Sequence, residues 1–182
     1  MKGIIFVIFK EFVESKYSKD VYGKVINELG NPAIVETGDY DDAVAIKACE
    51  LVGKQVNKSA MDILNEYGRY FPVSPKVNAV YKIYFFKKNA KEFLLNMDYV
   101  HETITKTISN AKPPRFKYEN TAPDKLEMTY TSPRNLGKFF ENLVLGVADK
   151  YNEKVSIKPL ASSEPNTHKI EITFLNKEKY VK

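Results

Sequence analysis

The chain is poor in the residues that build all-protein metal cages, with one cysteine and two histidines in 182 residues. A single cysteine, Cys49, cannot close a disulfide within the chain, and it argues against thiolate zinc sites, which need several sulfurs. His101 and His168 stand far apart, and no His/Glu/Asp spacing suggests a hydrolytic metal centre. There is no Gly-rich phosphate loop, internal repeat or low-complexity stretch. The apolar run Ile4–Phe9 is interrupted by Lys10-Glu11, which leaves it too short to span a membrane, and no signal-peptide cleavage pattern follows. A cytoplasmic protein with no membrane partner is the expectation. The net charge of +5 is modest, and lysine alternates with acid without a long basic block. No nucleic-acid partner is expected on that distribution.

What remains is an ordinary globular composition, 43% hydrophobic and 28% charged, long enough for one compact domain over 1–182. The first two thirds read as helices. Residues 3–16 are almost wholly apolar, Lys19–Leu29 stops at Gly30 and Pro32, Asp41–Val52 at Gly53, and Lys58–Tyr70 near Pro72. Cys49 sits in the third of these and reads as a small buried hydrophobe. A weaker stretch at Val77–Phe86 precedes a helix from Ala90 to Ser109. After Pro113-Pro114 the period changes. Leu126, Met128 and Tyr130 alternate with polar residues, as do Val155/Ile157 and Ile170/Ile172/Phe174, the two-residue repeat of half-buried strands. Asn135–Tyr151 returns to helix between them, and polar connections near 119–124 and 161–167 suit antiparallel returns. The expected fold class is α+β: a helical N-terminal subdomain packed on a C-terminal antiparallel sheet with an inserted helix, the two parts sharing one core.

Two features carry chemistry. Leu94, Met97, His101, Ile104 and Ile108 share one helix face by the 3/4 spacing, which points His101 toward core or pocket. A lone histidine there is either a satisfied core residue or a neutral imidazole ligand to haem iron, a metal that brings its other in-plane ligands with it. Tyr130-Thr131-Ser132-Pro133-Arg134 is the second. A strand running through it would put two hydroxyls and a guanidinium at the end of the apolar face, a clamp for a carboxylate or phosphate. The alternative is a strand end with Ser-Pro turn chemistry and Arg134 opening the next helix. Pro113-Pro114 alone is a plain rigid loop.

Four elements occur in order: Met1-Lys2-Gly3-Ile4-Ile5, Met97-Asp98-Tyr99-Val100-His101, Lys112-Pro113-Pro114-Arg115-Phe116 and Tyr130-x-Ser132-x-Arg134. Together they resemble the H-NOX (haem–nitric oxide/oxygen binding) family, related to the haem domain of soluble guanylate cyclase, over nearly the whole chain. The resemblance implies a haem b held between the two parts. His101 would be the proximal iron ligand, Tyr130, Ser132 and Arg134 would hold the propionates, Pro114 would press on the porphyrin, and Ile5 would touch the ring. Oxygen-binding relatives use a distal tyrosine where this chain has Phe139, and Trp and Asn where it has Phe9 and Phe71. With Leu143 these make an apolar distal pocket, which implies a sensor of nitric oxide and carbon monoxide that excludes oxygen. Tyr70 would be the donor if the register around Phe71 were one residue off.

Nitric oxide would weaken the bond to His101, and its release would shift the helix. The chain has no kinase or cyclase motif, so the signal would pass in trans to a histidine kinase or a diguanylate cyclase/phosphodiesterase. The rival readings are a lipid- or acyl-binding module using the same slot and clamp, and an enzyme acting on nitric oxide or peroxide. The enzyme is disfavoured because peroxide chemistry wants a distal acid/base pair, and His168 falls in what reads as a surface-edge strand.

Overall fold

The computed structural model describes residues 1–106 and 113–180, and backbone contacts divide the chain into two compact units, Met1–Val80 and Tyr81–Lys182. The first unit is helical: α1 (Gly3–Lys16), α2 (Lys19–Glu28), α3 (Asp42–Val56) and α4 (Ala60–Tyr70), then a short 3-10 turn over Phe71–Val73 and α5 (Pro75–Tyr81), which runs to the unit boundary. Its starts follow local chemistry. Ser18 and Asp41 accept from Val21 and Ala43 amides, and Ser59 and Asp62 close a capping box at α4. Gly53 does not end α3, which runs on to Val56 and stops where Asn57 turns left-handed at φ 56°. Gly3 opens α1 where only a glycine fits, since a Cβ there would stand 1.9 Å from the Val35 carbonyl oxygen. The core of this unit comes from Ile8, Phe12, Val13, Val25, Val52 and Ile63, each almost fully buried. Cys49 lies among them, and burial pushes its thiol up to about 12, as an inert hydrophobe requires.

The second unit begins with a 3-10 turn over Lys82–Phe85, then α6 (Ala90–Leu94) and α7 (Met97–Thr105). The single helix expected from Ala90 is therefore broken at Leu95-Asn96. The spacing of Leu94, Met97 and His101 survives the break, so periodicity did not reveal it. The expected end at Ser109, and Ile108, lie outside the described residues. A four-stranded antiparallel sheet follows in the order β1-β2-β4-β3, with β1 (Arg115–Ala122), β2 (Lys125–Thr131), β3 (Val155–Leu160) and β4 (Thr167–Phe174); α8 (Gly137–Lys150) lies between β2 and β3 in the chain.

Strand β1 was not anticipated as such, and it takes up most of the segment read as a connection over 119–124. It is an edge strand with little buried surface, so its alternation of Phe116 and Tyr118 is a weak signal. Strand β4 is interior, bonded to both β2 and β3, and not the edge strand its sequence context suggested; His168 pairs with Tyr130 of β2, one residue beyond the end of the β3 ladder. Leu126, Met128 and Tyr130 of β2 face the same core as Ile170, Ile172 and Phe174, closed by Phe140, Val144 and Val147 of α8.

Candidate functional site

His101 stands one turn before the end of α7. Its Nδ1 lies 2.9 Å from the Met97 carbonyl oxygen. A carbonyl only accepts, so Nδ1 carries the proton, and in the neutral ring the Nε2 lone pair is left for a ligand. The ring is half-buried, and burial lowers its proton affinity, opposed by the Met97 bond and the charge of Asp98. Nε2 has no partner among the described residues. This is the state a metal-binding imidazole needs.

Helix α7 is anchored from its first turn. The Asp98 amide donates to Tyr118 Oη at 2.8 Å, Asp98 Oδ1 accepts from the Phe116 amide at 2.9 Å, and Arg115 pairs with Oδ2 at 2.5 Å. These bonds hold the histidine helix to β1, and none is apparent from sequence spacing. The partners come from a strand that was not anticipated.

The structure joins His101 to Tyr130 through aromatic rings. His101 meets Phe116 at 5.2 Å between centroids, Phe116 meets Tyr130 at 5.8 Å, and Tyr130 stacks on Phe140 at 5.1 Å. Sequence reasoning named Phe116 only as the end of the Lys112-Pro113-Pro114-Arg115-Phe116 motif and missed this bridging role. Tyr130 is 7% exposed as a residue, and its hydroxyl is not among the buried polar atoms left without a partner. Ser132 is 2% exposed, and its Oγ accepts from the Arg134 amide at 3.3 Å, while its hydroxyl proton has no acceptor among the described residues.

Of the two readings of Tyr130–Arg134, the strand end with turn chemistry holds, although Arg134 does not open the helix, which starts at Gly137. The strand stops at Thr131, because Pro133 has no amide to donate and Asn135 turns left-handed at φ 48°. Arg134 is exposed in the turn that Asn135 N closes onto the Ser132 carbonyl, so it does not share a strand face with Tyr130. Pro114 is half-buried immediately before β1. On α8, Phe140, Val144 and Val147 fill the sheet core, while Phe139 and Leu143 lie one position round and are half-buried. That second apolar face is what a pocket wall on α8 would present.

In the helical unit, Ile5 is half-buried and its carbonyl accepts from Tyr67 Oη at 2.7 Å. Phe9 is 6% exposed, and Phe71 is half-buried in the turn that ends α4. Tyr70 donates to Glu11 Oε1 at 2.6 Å; burial first, then this bond, pushes its hydroxyl up to about 12. Glu11 also accepts from Ser74 Oγ at 3.1 Å and the Lys76 amide at 3.2 Å, which fixes it in place.

Among the described residues no three His, Cys, Asp or Glu side chains gather to hold a metal, so iron held through His101 must arrive with its other ligands. A haem fits the residues present: a neutral imidazole with Nε2 open to a ligand, and beside Phe116 the Tyr130 phenol and the buried Ser132 hydroxyl, both able to donate to carboxylates. Among the described residues no helix is long and apolar enough to cross a membrane.

The profile of haem–NO-binding domains matches residues 2–159. The chain is 27% identical to an oxygen-binding H-NOX domain related to soluble guanylate cyclases, solved as its oxygen complex, with a TM-score of 0.86 over 97% of this chain and 96% of that one. A substituted T. tengcongensis H-NOX protein matches with 27% identity and TM-score 0.86, over 97% and 98% of the two chains. An H-NOX protein solved in a study of H-NOX activation matches at 26% and 0.88, over 97% of each. No curated protein matches in sequence. The chain therefore belongs to the haem–NO-binding, or H-NOX, family of haem-binding gas-sensor domains.

Proposed function

We propose that residues 1–182 form one haem b domain that senses nitric oxide and carbon monoxide, does not hold oxygen, and signals to a separate protein. The observation that carries this reading is the His101 ring, whose Nδ1 proton is bound by the Met97 carbonyl so that a neutral Nε2 is left as the ligand. Tyr130, Ser132 and Arg134 hold the propionates, the two hydroxyls as donors and the Arg134 guanidinium as the cation. Pro114 and Ile5 touch the ring.

When bound, the haem would supply the iron that takes up a diatomic gas, with His101 as the protein's ligand to it. Bound oxygen gathers negative charge on its outer atom and is held by a nearby donor. Phe9, Phe71, Phe139 and Leu143, the proposed distal residues, have no donor side chain. The two tyrosines nearest them in sequence have committed hydroxyls: Tyr67 donates to the Ile5 carbonyl and Tyr70 to Glu11. This supports exclusion of oxygen.

His101 and α7 form the switching element. With iron on Nε2, α7 would be tied at its middle by His101 and in its first turn by the Asp98 bonds to β1; with Nε2 released, only the first turn would stay tied. The receiver is a histidine kinase or a diguanylate cyclase/phosphodiesterase acting in trans, and the domain itself is not catalytic. Visible absorption of the reduced protein under nitric oxide, carbon monoxide and air tests the reading. Responses to the first two with no oxygen complex are expected; a stable oxygen complex overturns the selectivity, and failure to take up haemin overturns the sensor.

A further inference from the structure

We infer that Tyr67 is the positioning residue that sets Ile5, Phe9 and Phe71 as one block, and through them tunes the affinity of the haem for gas. The inference rests on the distal and ring contacts proposed above. Tyr67 lies in the last turn of α4 and is 3% exposed. Its hydroxyl donates to the Ile5 carbonyl at 2.7 Å, although the two residues are 62 apart in the chain. A carbonyl inside a helix already accepts from the amide four residues on, so Tyr67 takes its second lone pair and fixes the start of α1 from outside.

The ring of Tyr67 holds the other two. It meets Phe9 edge-to-face, with centroids 5.2 Å apart and planes at 86°, and Phe71 in the same manner at 5.9 Å and 83°. It also leans on Phe12, which is fully buried, at 5.6 Å. Edge-to-face pairs place a ring's positive edge on its neighbour's negative face, so they resist rotation as well as separation. Tyr67 is thus bolted to the core on one side and to three proposed haem-facing residues on the other. Attraction between apolar atoms falls by a quarter to a half over a gap of roughly 0.5–1 Å, so a small displacement of this block changes its grip on a ligand.

The tests separate the hydroxyl from the ring. Tyr67→Phe removes only the bond to Ile5. In the holoprotein it is expected to change the carbon monoxide dissociation constant by roughly two- to tenfold, the span of one lost hydrogen bond. It is also expected to speed amide exchange in the first turns of α1 by a similar factor, a readout that needs no gas. When Ile5 is already Ala, Tyr67→Phe should leave the gas constant unchanged, because its effect passes through the Ile5 side chain. Tyr67→Leu should still alter it in that background through Phe9 and Phe71. An unchanged constant with unchanged exchange, or the same shift with and without the Ile5 side chain, overturns the inference while leaving the haem sensor intact. A protein that takes no haemin overturns the sensor, and the exchange measurement then still decides whether Tyr67 fixes α1.

Discussion

At the scale of single residues, the decisive feature is how hydrogen bonds assign protons. His101 on an apolar stripe is legible in the sequence as core residue or ligand, and the stripe alone does not separate the two. The Met97 carbonyl favours the ligand reading, because it takes the Nδ1 proton and leaves Nε2 bare. Tyr130 and Ser132 were legible as a pair, whereas the exposed position of Arg134 was not, since it follows from the left-handed turn at Asn135. The commitments of Tyr67 and Tyr70 lie beyond any sequence pattern, because their acceptors are 62 and 59 residues away. With those hydroxyls engaged, gas selectivity is expected to turn on residue 139. Phe139→Tyr supplies a donor on the half-buried face of α8, and a stable oxygen complex absent from the parent is expected in air-equilibrated absorption spectra. No change in gas selection would show that residue 139 does not face the iron.

At the scale of elements, strong periods were read well and weak ones were not. The apolar run of α1 and the alternation of β2 matched the structure closely, while β1, with one strongly buried side chain, was missed. Contacts between elements supply two predictions. Gly137 opens α8 directly against His168 of β4, and a Cβ there would stand 2.6 Å from the imidazole Cγ. His168 is held in turn by Glu141, with Nε2 to Oε1 at 2.8 Å, so the ring has little room to yield. Gly137→Ala is expected to cost about 1–3 kcal/mol in denaturant unfolding, and the His168→Ala background should relieve most of it. Equal costs in both backgrounds would rule out the clash as the cause.

Glu66 of α4 supplies the second. Burial alone would raise its carboxyl, but bonds from Lys58, Tyr17 and Lys16 outweigh it and hold the group at about 2. A carboxyl lowered in the folded state stabilises it fully above its unfolded pKa of about 4.3 and loses that contribution as pH falls toward 2. After allowance for solvent screening this is about 2 kcal/mol. Glu66→Gln is therefore expected to flatten the fall in stability between about pH 4.5 and 2, and an unaltered acid titration would exclude it.

At the scale of the whole molecule, the α+β class was readable from the change of hydrophobic period after Pro113-Pro114, and the family from four short motifs in order. The aromatic bridge through Phe116 was not, since it depends on how β1 lies against α7. A prosthetic group that binds only the folded chain stabilises it by mass action. Haem at about one hundred times its dissociation constant adds about 2.7 kcal/mol, which for a chain of this length raises the thermal midpoint by about 5–10 °C. Equal midpoints with and without haem would contradict specific binding. The most direct measurement is visible absorption of the dithionite-reduced His101→Gly protein beside the parent, with and without added imidazole. The account predicts a haem spectrum in the parent, its loss or gross change in His101→Gly, and its recovery with imidazole; a His101→Gly protein that keeps the parent spectrum unaided would contradict His101 as the iron ligand.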